Sequence, residues 1–341
     1  MPKMLKLLKY AVLLGLAVLA AEVFWPRHYE MPQLVKRAST QYWDLPTGSY
    51  IAYTLVPAIG LKKASPIIYL HGGPGGPISD LNIKLLSSLA EDGYDVYLYD
   101  QIGGGLSARL EQLEDYTALR HKKDLEAIVE KIGAEKVILI GQSWGAILAT
   151  LYMADHPEKL EKVIFTGPGP IQPGRPELSD LVPPDSFQLR TPIFSNQQGI
   201  QATQNLRSVA TAFLAQRFGI KLADDQEADD FATYQGRLIN RSVVCDTSKF
   251  PPNIGGAGYY VQICTVYSLA ELKDPRPGLK AVQCPVLVMK GQCDNQKWGF
   301  TKEYLDIFPN SRLEIIPNAG HAIGFEQPEL YLQTVRSFLK Q

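Results

Sequence analysis

From residue 50 onward, short runs rich in β-branched and aromatic residues alternate with stretches of helical periodicity, the pattern of βαβ units on a mostly parallel sheet. Strands are predicted over Tyr50–Val56, Pro66–Leu70, Asp95–Tyr99, Lys136–Ile140, Lys162–Thr166, Pro285–Met289 and Arg312–Ile316, with helices over Leu119–Ile132, Ser143–Ala154 and Pro328–Lys340. Several strands, such as Val137-Ile138-Leu139-Ile140, are apolar throughout, as expected for a sheet covered by helices on both faces. Between about Ile171 and Gly278 the alternation stops and a helical, proline-interrupted insertion takes over. In it Leu206, Val209, Ala210, Phe213 and Leu214 recur at helical spacing, as do Tyr260, Ile263, Tyr267 and Ala270. Those stripes read either as the lining of a pocket or as the core of the insertion. The chain is therefore read as an N-terminal segment (1–30), an α/β core (31–170 and 278–341) covered by helices on both faces, and a helical cap (171–277).

The first thirty residues break this pattern. Lys3, Lys6 and Lys9 precede an uninterrupted apolar run from Ala11 to Ala21, followed by Glu22, Val23, Phe24, Trp25, Pro26 and Arg27. Signal-peptide cores run roughly 7–15 residues and membrane spans about 20, so the length falls between the two. No clean small-x-small cleavage site follows, and Trp25 and Arg27 suit a headgroup boundary. The segment reads as an uncleaved single-pass membrane anchor with its lysines in the cytoplasm and everything after residue 30 outside. The alternative is a cleaved signal that leaves a secreted or periplasmic protein.

Composition narrows the chemistry. Lys+Arg number 34 against 35 Asp+Glu, a formal charge of -1, so no global positive field exists to hold a nucleic-acid backbone. At 45% hydrophobic and 20% charged residues, the 341-residue chain has the balance of a folded protein. Its four cysteines, Cys245, Cys264, Cys284 and Cys293, form no C-x-x-C pair and lack a histidine pair at ligand spacing, so neither a metal site nor a cofactor is expected. They allow one or two disulfides in three pairings, or four buried thiols.

Gly141-Gln142-Ser143-Trp144-Gly145 sits where a predicted strand ends and a helix begins, the setting of a nucleophile elbow. A serine hydroxyl needs a neighbouring base, and that base an orienting carboxylate, here in the order Ser, acid, His. Of five histidines, His28 abuts the anchor, His71 precedes the serine, His121 reads as lying on a charged helix face, and His156 closes the helix that Ser143 opens. His321 remains, on a loop after Arg312–Ile316, where a parallel sheet presents its ligand-binding loops. Asp294, in Gly291-Gln292-Cys293-Asp294 after Pro285–Met289, is the acid; Asp306, on a helical pattern beyond, competes with it. Two backbone N–H groups are expected to face the oxyanion: that of Trp144, and that of Gly73 (alternatively Gly72) in His71-Gly72-Gly73-Pro74-Gly75-Gly76-Pro77. His71 itself reads as a residue that orients this loop.

Together these motifs resemble the α/β-hydrolase fold and, within it, the prolyl aminopeptidase (proline iminopeptidase) group. The carriers are H-G-G-P-G-G-P at 71–77, Asp100-Gln101-Ile102-Gly103-Gly104-Gly105-Leu106-Ser107, G-Q-S-W-G at Ser143, G-Q-C-D at Asp294 and G-H at His321. The resemblance implies release of N-terminal residues from short peptides through an acyl-enzyme. Family members hold the substrate's α-amine with cap glutamates, whereas the corresponding stretches here, Tyr234-Gln235-Gly236-Arg237 and Gly258-Tyr259-Tyr260-Val261-Gln262, have none. Tyr259 and Tyr260 are instead expected to line a pocket for an uncharged acyl group, which keeps a short-chain esterase without aminopeptidase activity as the alternative. A catalytically silent ligand receptor is a remoter one, disfavoured by the complete Ser, Asp, His set.

Overall fold

The structure, a computed structural model, describes residues 2–341. Eight strands form one sheet: β1 (Thr40–Asp44), β2 (Tyr50–Val56), β3 (Ile67–Leu70), β4 (Val96–Tyr99), β5 (Val137–Gln142), β6 (Leu160–Thr166), β7 (Val286–Gly291) and β8 (Ser311–Ile316). Their spatial order is β1-β2-β4-β3-β5-β6-β7-β8, with β1 and β2 antiparallel and the other six mutually parallel. The seven strands expected from the sequence are all present within a residue or two of their ends. β1 is the addition. It is a short edge strand with no apolar alternation, held by cross-strand aromatic stacking of Tyr42 on Tyr50 and of Trp43 on Tyr53.

The chain runs from β3 outward to β4 and then crosses back to β5 on the other side of β3, so the order reverses between β3 and β5. In an open parallel sheet the crevice for ligand lies beyond the strand ends at such a switch point.

Twelve helices accompany the sheet among the described residues: α1 (Pro2–Phe24), α2 (Asp80–Ser87), α3 (Ala118–Ile132), α4 (Trp144–Asp155), α5 (Asn196–Thr203), α6 (Leu206–Phe218), α7 (Asp225–Ile239), α8 (Tyr259–Ser268), α9 (Arg276–Leu279), α10 (Trp298–Ile307), α11 (Ile323–Glu326) and α12 (Pro328–Leu339). On one face Leu125, Leu148, Tyr152 and Tyr304 from α3, α4 and α10 pack with Leu139 and Val163; on the other Leu86, Tyr331 and Val335 from α2 and α12 pack with Ile138 and Ile140. α4 is apolar on every side and buried from Trp144 to Met153, as befits a helix between sheet and outer helices. α3 shows the usual surface logic, with the Thr117 hydroxyl capping its start and Gly133 in a left-handed turn closing it. Helices α5 to α9 fill the stretch between β6 and β7.

α1 stands apart. Its residues Lys3–Phe24 span about 33 Å at 1.5 Å per residue, and all are exposed except Val23, half-buried where the last turn meets α6. The strap that follows is nevertheless fixed. The Tyr29 ring packs on Phe231 and Tyr234, the Arg27 N–H donates to Glu227 Oε1 (2.8 Å), and Arg37 Nη2 donates to the Ile78 carbonyl (2.8 Å).

Candidate active site

Ser143 occupies the turn between β5 and α4 with φ 53° and ψ -113°, a backbone conformation that a residue with a side chain rarely adopts. The neighbouring glycines make the turn feasible. A methyl group on Gly145 would stand 1.9 Å from the Leu70 carbonyl oxygen, and one on Gly141 2.7 Å from the Gly145 oxygen, so the helix start can lie against β3 only without side chains there. The turn lifts Ser143 to the wall of a cleft of about 880 Å³, which Gly72, Gly73 and His321 also line.

His321 follows β8, and Asp294 follows β7. The His321 Nδ1 lies 2.9 Å from Asp294 Oδ1. Burial alone would raise the Asp294 carboxyl, but Lys290, the His321 ring and the Gln296 N–H outweigh it and bring its pKa down to about 2. An ionised carboxylate only accepts, so His321 donates through Nδ1, and its Nε2 is the ring nitrogen left for another partner. Lys290, itself buried, stands 3.4 Å from Asp294 Oδ2 and donates to the Gln296 carbonyl at 2.8 Å. The sequence reading passed over Lys290; the signal was a lysine ending the otherwise apolar run Val286-Leu287-Val288-Met289. Asp306, the competing acid, is exposed and paired with Lys302 (2.6 Å).

On the other side of Ser143 the glycine-rich loop comes close: a methyl on Gly72 would meet Ser143 Cβ at 3.3 Å. Gly73 adopts φ 131°, where a side chain would strike the Gly75 and Gly76 nitrogens at 2.8 Å. The Trp144 N–H belongs to the first turn of α4 and has no partner within the helix. His71 has no spare nitrogen. Its Nε2 accepts from the Gln101 N–H (3.0 Å), so Nδ1 carries the proton and donates to the Gly72 carbonyl (2.7 Å). Burial holds its pKa down at about 4. Gln101 joins the two loops, its amide nitrogen donating to the His71 carbonyl (3.1 Å) and its oxygen accepting from Trp144 Nε1 (2.7 Å). Asp100 accepts from the N–H groups of Ile78 (2.6 Å) and Leu106 (2.8 Å), so the 100–107 motif braces the glycine-rich loop.

Three expectations change. Tyr259 and Tyr260 do not reach the cleft. Both are buried within the insertion, their hydroxyls donating to the carbonyls of Ser208 (3.3 Å) and Ala223 (2.6 Å), and Gln262 of the same helix faces the cleft instead. His121 is buried, with its ring edge-on to Trp144 at 5.6 Å, because α3 turns it inward under the elbow. The stripe Leu206, Val209 and Phe213 lines neither pocket nor core; all three are more than half exposed, while Arg207, Thr211 and Ala215 occupy the buried face of α6. Of the cysteines, Cys245 and Cys293 are disulfide-bonded, and Cys264 and Cys284 are free.

Among the described residues no aspartate or glutamate lines the cleft. Two buried or part-buried carboxylates of α7 are paired with arginines, Asp229 with Arg109 Nε (2.8 Å) and Glu227 with Arg207 Nη2 (2.6 Å). No cluster of three potential metal ligands occurs among the described residues.

Residues 65–328 match the family described as alpha/beta hydrolase fold. A proline iminopeptidase from Lactobacillus delbrueckii subsp. bulgaricus is 28% identical over 306 residues, covering 86% of this chain and 96% of the relative. Among solved structures, an esterase from Exiguobacterium antarcticum superimposes with a TM-score of 0.62 at 16% identity, over 88% of this chain and 99% of its own. The proline iminopeptidase of Mycobacterium smegmatis gives 0.56 at 20% identity, over 89% and 98%.

Proposed function

The chain belongs to the alpha/beta hydrolase fold family and is a hydrolase of aminopeptidase- or esterase-like kind; from that premise we propose that it is a serine hydrolase working through Ser143, His321 and Asp294. In this reading His321 Nε2 takes the proton of Ser143 Oγ as that oxygen attacks the substrate carbonyl, and Asp294 stabilises the resulting imidazolium. The N–H groups of Trp144 and Gly73 receive the oxyanion. His321 then returns the proton to the departing amine or alcohol, and water releases the acyl group from Ser143 by the same steps. The observation that carries this is the strained Ser143 backbone opening onto the same cleft as His321, whose other nitrogen is engaged by an ionised Asp294. Residues 171–277 serve as the cap over that cleft.

For specificity, the proline iminopeptidase relatives favour short peptides, and the cleft limits which ones. An α-ammonium entering a site without a carboxylate is desolvated and unpaired, at a cost of several kcal/mol. The cleft, bare of carboxylates, therefore suits an uncharged acyl group, as an ester or an N-blocked peptide. α1 is read as the anchor of a single-pass protein whose hydrolase domain lies outside the cytoplasm, with Lys3, Lys6 and Lys9 inside.

Two measurements test the catalytic reading on the full chain in detergent. A fluorophosphonate should label the wild type on the peptide containing Ser143 and leave Ser143→Ala unlabelled; undiminished labelling of the variant overturns the nucleophile. The ratio of kcat/KM for proline arylamide to that for a short-chain aryl ester, corrected for leaving-group reactivity, should be low, and N-acetylating the arylamide should not lower its rate. Strong preference for the free amine, abolished by N-acetylation, would establish the aminopeptidase reading instead.

A further inference from the structure

We propose that the outer face of α6 and the loop after it, carrying Leu206, Val209, Phe213, Phe218 and Ile220, lies on the surface of the lipid bilayer that α1 spans, holding the hydrolase domain in one orientation on the membrane. The inference rests on the reading of α1 as an anchor. All five side chains are large, apolar and more than half exposed. Leu206, Val209 and Phe213 fall at helical spacing on one side, the edge-to-face pair of Phe213 and Phe218 extends the patch to the last residue of the helix, and Ile220 follows it in the loop. A contiguous exposed apolar patch of this kind marks a surface that is covered in the working protein.

What covers it follows from where α1 ends. Arg207, on the opposite face of α6, donates through Nη1 to the Val23 carbonyl in the last turn of α1 (2.8 Å) and pairs with Glu227, which in turn accepts from the Arg27 N–H. The N-terminal end of α6 therefore stands beside the end of α1, where Trp25, 73% exposed, marks the boundary of the span. The strap that follows cannot act as a slack tether. It is packed on α7 through Tyr29, and a methyl on Gly255 would stand 2.0 Å from the Pro32 carbonyl oxygen, so the domain stays beside that point. Arg217, exposed in the last turn of α6, is a long cationic side chain that can reach lipid phosphates, whereas Lys221 just beyond is held by Asp225 and the Leu110 carbonyl. A helix with an apolar outer face, set by an anchor at the membrane boundary, has the form of an interfacial membrane element.

The test uses the full chain reconstituted in phosphatidylcholine/phosphatidylglycerol vesicles containing a phospholipid with a photoactivatable diazirine high on one acyl chain. After irradiation, lipid adducts are mapped by mass spectrometry. Adducts are expected on both Lys3–Phe24 and 206–220. The double variant Val209→Asp/Phe213→Asp should lower the 206–220 adducts at least fivefold, leave those on α1 in place, and hydrolyse a soluble aryl ester at the wild-type rate. Adducts on α1 with none on 206–220 would overturn this proposal and leave the anchor standing. Chain-to-chain crosslinks through 206–220 would show a second copy in place of lipid and overturn it too. Recovery of a soluble chain beginning near Glu22, with no adducts at all, would instead remove the anchor reading on which it depends.

Discussion

At the scale of single residues, the site depends on which nitrogens and oxygens are already committed. His71 has both ring nitrogens engaged and Asp306 is held by Lys302, which favours the proposed assignment of His321 as the base and Asp294 as the carboxylate that orients it. His321→Ala should lower kcat by roughly 10⁴-fold or more, and Ser143→Ala/His321→Ala should cost little beyond either single change, because such groups act as a unit. Asp294→Asn should be severe but roughly tenfold or more milder than His321→Ala. Additive losses in the double variant, or a silent Asp294→Asn, would dismantle the assignment. The buried histidines make a second prediction, in stability. Burial lowers the pKa of His71 from 6.5 to about 4 and, helped by the neighbouring His71, that of His121 to about 3. Below pH 6.5 the unfolded chain binds protons at both positions while the folded protein does not, so their contribution is lost on acidification. Asp100, raised by burial to about 6, works the other way, since the folded state takes up its proton first. The two histidines together outweigh it, so the balance of these three groups is a loss of stability between pH 7 and 4. The melting temperature should fall over that range, and His121→Phe, which keeps a ring against Trp144, should flatten the dependence; an unchanged slope would assign the acid sensitivity to other groups.

At the scale of elements, the loops after β7 and β8 are tied to the insertion as well as to each other. Cys293, next to Asp294, is bonded to Cys245, while Glu326 accepts from the Cys245 N–H (2.8 Å) and from the Gly320 N–H (2.6 Å) beside His321. With its cysteines 48 positions apart, the disulfide removes loop entropy worth about 4 kcal/mol by the chain-entropy account. Cys245→Ser should lower stability to chemical denaturation by an amount of that order, with kcat also reduced because the Asp294 loop loses its brace; an unchanged denaturation midpoint would mean the bond is dispensable. The sequence could not choose this pairing, because the two cysteines meet only through the insertion's return to the sheet. The parallel core was legible because apolar runs and glycine-rich turns are local signals, and the elbow, Asp294 and His321 are each tied to the end of such a run. β1 was not, since an edge strand paired on one side needs no apolar alternation; Gly48, in a left-handed turn before β2, was its one local mark. In the insertion, helical spacing identified an apolar face on α6 correctly but not what it meets, because periodicity reports a face and not its partner. Tyr259 and Tyr260, expected in the pocket from the resemblance of their stretch to the family's cap, lie buried in the insertion because α8 turns Gln262 to the cleft instead.

For the molecule as a whole, the strap from Trp25 to Arg37 joins α1 to the hydrolase domain and crosses the insertion before the sheet begins. Lys3–Phe24, about 33 Å long and exposed up to its last turn, has the length and composition to cross a bilayer, and under the proposed topology Lys3, Lys6 and Lys9 in its first turns stay on the cytoplasmic side. The disulfide bears on the same question independently, since such a bond persists in an oxidising compartment and is rare in the cytosol. The topology therefore predicts a thiol count. In cells alkylated at harvest with a membrane-permeant maleimide and then denatured, two cysteines should be modified, Cys264 and Cys284, rising to four only after reduction. A reporter fused after Gln341 should behave as exported, and the protein should pellet with membranes. Four thiols modified without reductant, together with a reporter active only in the cytoplasm, would place the domain inside and reverse the direction of α1. Two modified thiols on a soluble chain beginning near Glu22 would keep the domain outside but make α1 a signal that is removed. Either result leaves the Ser143, His321 and Asp294 arrangement untouched, because those residues are held by the sheet and its loops, whereas the membrane reading rests on α1, its lysines and the oxidised cysteine pair.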